Sequence, residues 1–214
     1  MFVKREGNLL KVQAILLAVL FFTLNTAIGS SLVSYTATVT ITPITAGPYT
    51  LYAHQETYGP YHYFRLYSAD SSGETHSGQT DSEGLKSMGY FIFELTGITA
   101  INASTWTFYY RAQKTHSAVE AHCTVDILIR KSDGGIRQWI AVLDANSGEL
   151  SASWSTLSGT YAFAGYSVVD QTDYLEVDYY IWVTAKRNGE RVNLRIDDSA
   201  LALADQTRIE NIVF

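Results

Sequence analysis

Beyond Ser34, apolar and polar residues alternate with a period of two, and no stretch carries the 3.6-residue period of an amphipathic helix. Over 119–130, Val119, Ala121, Cys123, Val125, Ile127 and Ile129 are apolar, and Glu120, His122, Thr124, Asp126 and Arg130 alternate with them. Successive strand side chains point to opposite faces, so this spacing predicts a strand with one dry and one wet face. The stretch 174–184 repeats it: Leu175, Val177, Tyr179, Ile181 and Val183 are expected inward, and Glu176, Asp178, Tyr180 and Trp182 outward. Further strands are predicted at 34–44, 49–53, 61–67, 89–95, 105–112, 136–143, 160–166, 191–196 and 207–213. Turn residues separate them, and Asn188-Gly189 between two alternating runs is the strongest hairpin signal. About eleven short strands without helices predict an all-β, antiparallel sandwich or barrel. The stretch 68–87 offers no large apolar residue before Leu85 and is expected to be a long mobile loop.

Ahead of the alternation lies a different pattern. No Asp, Glu, Lys or Arg occurs over 12–55, and its first part, 14–24, is a compact apolar run behind the basic flank Lys4, Arg5 and Lys11. This order is that of a secretory signal, with Ala27 and Gly29 as the small residues of a cleavage region and a cut after Gly29. Extended to Val33, the same helix has about 22 uncharged residues, which meets the ~20 needed to span a bilayer. The basic flank would then hold its amino end in the cytoplasm. A cut after Gly7 resembles the leaders of type IV pilin-like subunits, although Lys11 and Gln13 interrupt the apolar helix. Residues 1–33 are thus read as a signal peptide or N-terminal transmembrane anchor, and 34–214 as a single β-sandwich domain that is secreted or held at the cell surface.

Composition narrows the possibilities. The 15 Lys and Arg against 21 Asp and Glu, net −6, include no basic cluster, which disfavours nucleic acid as a partner. Cys123 is the single cysteine and has no intrachain partner, so the fold must rest on its core. Roughly 180 residues after the leader suffice to bury about two thirds of their unfolded surface.

The segments Ala103-Ser-Thr-Trp-Thr-Phe-Tyr-Tyr-Arg-Ala112, Val125-Asp-Ile-Leu-Ile-Arg-Lys-Ser-Asp-Gly134, Val169-Asp-Gln-Thr-Asp-Tyr-Leu-Glu-Val-Asp-Tyr-Tyr180 and Leu194-Arg-Ile-Asp-Asp198 resemble extracellular jelly-roll modules of archaeal and some bacterial surface proteins. The likeness runs over 89–214. It implies a jelly-roll-like sandwich on a cell surface and transfers no catalytic residue.

Three kinds of site are readable. Tyr49, Tyr52, Tyr58, Tyr61, Tyr63 and Tyr67 cluster before the long loop, and Trp182 and Tyr180 share an outward face with Glu176 and Asp178. Flat rings that stack on sugar faces, beside carboxylates that bind hydroxyls, are what a carbohydrate-binding face requires; packing under a second layer is the competing expectation. Asp170, Asp173, Asp197 and Asp198 gather near strand ends, where they could offer oxygens to Ca2+ or serve as ordinary turn residues. Glu176 and Asp178 are also the formal acid pair of a glycan hydrolase. The five histidines form no HxH or HExxH pattern, no serine sits in a nucleophile elbow, and Cys123 is expected inward and unreactive. Asn102-Ala-Ser104 is an N-glycosylation sequon.

The expectation from sequence is a non-catalytic surface or secreted sandwich with a structural or adhesive role, assembling with neighbouring subunits if strand 34–44 is donated. A module that binds cell-surface glycans is the alternative, and a glycan hydrolase a more distant one.

Overall fold

The computed structural model describes residues 47–214. The predicted helix within 1–33, with its choice of signal or anchor, and the predicted strand 34–44 lie outside the described residues. Thirteen strands are present among those described: β1 (Tyr49–Tyr58), β2 (Tyr61–Arg65), β3 (Ser72–Gln79), β4 (Gly84–Glu94), β5 (Ala100–Ile101), β6 (Ser104–Lys114), β7 (Glu120–Arg130), β8 (Ile136–Asp144), β9 (Ser155–Phe163), β10 (Tyr166–Ser167), β11 (Tyr174–Ala185), β12 (Arg191–Asp198) and β13 (Arg208–Ile212). One short 3-10 turn, Leu203–Asp205, precedes β13. No helix among the described residues is long and apolar enough to cross a membrane.

The strands pair in the order β3-β12-β6-β13-β1-β2-β4-β11-β7-β8, with β9 also on β6 and β5 with β10 as a separate ladder. Pairing of β1 with β2 slips between Ala53 and Thr57. Beyond that break the path turns over, so that β6 faces β11 across the core, with the Tyr110 and Tyr179 rings edge-on at 5.7 Å. The result is a β-sandwich. Trp106, Phe108 and Tyr110 of β6 meet Leu175, Val177, Tyr179 and Ile181 of β11, all buried. Each such side chain contributes about 1.5–3 kcal/mol through its burial. The buried Tyr110 hydroxyl donates to the Ala145 carbonyl at 2.7 Å, which satisfies the one polar atom the ring carries into the core.

Two expectations are corrected. The stretch 68–87 is not a loop: it contains β3 and the start of β4. Strand β3 sits at the end of the sheet order and takes its register from β12, from Arg191↔Gln79 to Asp198↔Ser72. An edge strand held by main-chain bonds needs no apolar alternation, so Ser72-Gly-Glu-Thr-His-Ser-Gly-Gln79 carries no period-two signal. The pairing is also not purely antiparallel, because β2 runs parallel to β4 through His62↔Phe91 and Tyr63↔Ile92.

Candidate functional site

The alternation of β11 correctly places Leu175, Val177, Tyr179, Ile181 and Val183 in the core, but its other face is not uniformly wet. Glu176 is wholly buried, Asp178 is 5 % exposed, and Asp126 and Thr124 on the neighbouring β7 are buried too. The expectation of outward, solvated Glu176 and Asp178 therefore fails; of the four residues expected outward only Trp182, at 38 %, stays open, packed at 5.8 Å against His122. Trp182 and the half-buried Tyr180 do share the face, yet the acids beneath them are not available to a ligand at that end.

What holds a carboxylate in such a place is Arg130. Its guanidinium grips Glu176 bidentately, with Nη2 donating to Oε1 at 2.8 Å and Nε to Oε2, while Nη1 donates to the Gly134 carbonyl at 2.7 Å. Beside it, burial, the charge of Glu176, a hydrogen bond to Glu176 and the charge of Asp126 push Asp178 up to about 8, against the opposing pull of Arg130. Asp178 is thus biased toward its protonated form. Burial also raises Asp126, although the Leu143 amide donates to its Oδ1 at 2.7 Å.

A test follows from the sign of that shift. Between the ordinary 3.8 and about 8 the folded state binds the Asp178 proton and the unfolded chain does not, so this group's contribution falls as pH rises through that window. Asp178→Asn should flatten the slope and raise stability at pH 8 by on the order of 1–3 kcal/mol. Urea denaturation at pH 5 and pH 8 measures it; a variant with the wild-type slope would show that Asp178 is ionised.

At the opposite end of the same face the surface opens. A hollow of about 190 Å³ is lined by Tyr58, Tyr61 and Tyr174, floored by Ile92 and closed by Arg130 with the β7–β8 turn Lys131-Ser-Asp-Gly134. The Tyr58 and Tyr174 rings lie 6.4 Å apart at 30°, Tyr58 is 55 % exposed, and the Arg130 guanidinium stands 5.3 Å from the Tyr61 ring centre. Gly134 takes φ +89 to turn the chain, and Asp133 Oδ1 accepts from the Gly135 amide at 2.8 Å. The volume is smaller than the ~300–1,000 Å³ of a drug-sized cleft and suits one ring of a polar ligand.

The four aspartates expected to gather fall to different partners: Asp170 and Asp173 to Arg137, Asp197 to His54, and Asp198 to Arg195. Arg137 holds Asp173, by Nε and by Nη2 at 3.0 Å, and lies 3.6 Å from Asp170, which accepts from the Thr172 amide and hydroxyl. Asp198 pairs with Arg195 at 2.9 Å. Asp197 accepts from His54 Nδ1 at 3.1 Å and from the Gln55 and Asp70 amides, each at 3.1 Å. Each carboxylate is neutralised or hydrogen-bonded by the chain. Asn102 is exposed between β5 and β6. Cys123 is buried and its thiol is pushed up to about 12, chiefly by burial.

No family model and no curated protein matches the sequence. Among solved structures, a CocE/NonD family hydrolase from Staphylococcus aureus matches with a TM-score of 0.52 and 10 % identity, over 79 % of this chain and 37 % of that chain. A second structure of a CocE/NonD family hydrolase from the same organism gives 0.52 and 7 %, over 85 % and 39 %. A structure of infectious bursal disease virus, Gt strain, is a looser match at 0.35 and 8 %, over 87 % and 45 %. This chain spans about two fifths of the hydrolases' length, and at such identity the shared feature is the β-sandwich itself.

Proposed function

We propose that the chain is a non-catalytic β-sandwich module with an adhesive role at a cell surface, and that it contacts glycans through the hollow between Tyr58, Tyr61 and Tyr174. The observation that carries this reading is the hollow: the exposed Tyr58 ring and the half-buried Tyr61 and Tyr174 rings at its wall supply flat apolar faces for a sugar ring, and Arg130, Lys131, Ser132 and Asp133 surround them with hydroxyl-binding groups. The export part of the proposal rests on the basic flank and apolar run of the first 24 residues. The resemblance to extracellular jelly-roll modules agrees with it.

A glycan hydrolase is the weaker reading. Glu176 is wholly buried and both its oxygens are held by Arg130, and Asp178 beside it is 5 % exposed, so neither carboxyl is open to flank a glycosidic bond. A glycan array is expected to return ligands that are bound and not cleaved. Tyr58→Ala and Tyr174→Ala should each weaken the best of them at least tenfold, or about 1.4 kcal/mol, whereas Trp182→Ala should leave affinity within twofold. An array without signal above background, or a loss confined to Trp182→Ala, overturns the assignment.

A further inference from the structure

The rim of the sandwich beside β3 holds a second constellation. His62 on β2 and Glu74 and His76 on β3 present one ligand atom each, all within 4.8 Å of one another. Glu74 and His76 are two apart on one strand and so share a face, the one that also carries their β12 partners Ile196 and Leu194. His62 stands on the same face of β2 as the buried Phe64, so the two histidines meet from opposite sheets, ring centres 4.9 Å apart.

The local chemistry leaves their lone pairs free. His62 Nδ1 lies 3.4 Å from the Gln55 carbonyl, which can only accept, so that nitrogen carries the proton and Nε2 keeps its lone pair. Phe91 stacks on the His62 ring at 5.2 Å and 26°, fixing its plane. His76 Nε2 is buried without a hydrogen-bond partner, 3.6 Å from Glu74 Oε1. The other such grouping, His54 with Asp70 and Asp197, offers no comparable lone pair: His54 Nε2 faces the Tyr67 carbonyl at 2.9 Å and Nδ1 faces Asp197.

We propose that His62, Glu74 and His76 bind a transition-metal dication, Zn2+ by the nature of the ligands, and that the metal ties the edge strand β3 to β2 across the rim. Two imidazoles and a carboxylate are a zinc donor set, and their ligand atoms, within 4.8 Å of one another, have to close to the ~3.3 Å mutual spacing of tetrahedral ligands about 2.0–2.1 Å from the ion. Strand β3 has no large apolar side chain to anchor it, and a metal supplies the missing tie.

The test is titration of the metal-free, tag-free full-length protein with Zn2+ by calorimetry and with Co2+ by visible absorption. One equivalent should bind, Co2+ should give the intense bands of a tetrahedral site, and Zn2+ should raise the melting temperature. His62→Gln and His76→Gln should each weaken binding at least tenfold, and His54→Gln should not. Failure of uptake to saturate at one equivalent, or uptake unchanged in both ligand variants, overturns the proposal. Histidine side-chain NMR of the wild-type protein decides even if the variants fold poorly: Zn2+ should shift His62 and His76, and shifts confined to other histidines refute the site. None of these outcomes depends on glycan binding.

Discussion

Arg130→Met is expected to destabilise the domain by about 3–5 kcal/mol, because it strands the wholly buried Glu176 carboxylate without its counter-ion. The loss is larger than any surface ion pair would give, since those are worth about 0–1 kcal/mol. It should also be non-additive. In Arg130→Met with Glu176→Leu both charges are gone, the desolvation cost disappears with them, and most of the stability should return. Urea denaturation of the two single variants and the double variant measures the coupling. A loss below about 1 kcal/mol for Arg130→Met would mean that Glu176 is solvated. Because Arg130 also lines the hollow, the same cycle separates its structural role from its contact with a ligand.

Asp197→Ala carries a comparable expected cost, about 3–5 kcal/mol, for a different reason. Asp197 sits at the end of β12 in a left-handed conformation, φ 49, and its two oxygens gather the Gln55 amide, the Asp70 amide and the buried His54. Burial opposes the charge of His54, but the Asp197 hydrogen bond, the Tyr67 carbonyl and the charges of Asp197 and Asp70 outweigh it and raise its pKa. Burial likewise opposes the charge of Asp197, and His54 and the two amides lower its pKa in spite of it. The histidine's contribution is complete below its unfolded value of 6.5 and is lost as pH rises through the raised folded value. The aspartate's is complete above 3.8 and is lost as pH falls through the lowered one. The difference in stability between wild type and Asp197→Ala should therefore be greatest between these two values and shrink on either side. Thermal unfolding across pH 3 to 9 gives that curve, and a flat difference would contradict a charged His54.

The inner half of the fold was legible in the alternation. Every strand predicted among the described residues overlaps an observed one, and the inward faces of β7 and β11 are occupied by the residues the period assigned to them. Alternation tells which residues share a face and not whether something covers it, which is why Glu176 and Asp178 were expected in water. The tyrosine cluster was visible as composition, but Tyr58 and Tyr61 join Tyr174 only through the ladder β1-β2-β4-β11, whose parallel step from β2 to β4 has no local signal. The histidine and glutamate cluster was hidden for a related reason. His62 belongs to one sheet, and Glu74 and His76 to an edge strand whose polar sequence reads as a loop.

The glycan assignment has its most direct test in amide NMR of the isotope-labelled protein titrated with the best sugar from the array. Shifts are predicted at Tyr58, Tyr61, Arg130 to Gly134 and Tyr174, fading in Tyr58→Ala. Shifts gathered instead around Trp182 and His122, or none at saturating sugar, would contradict it.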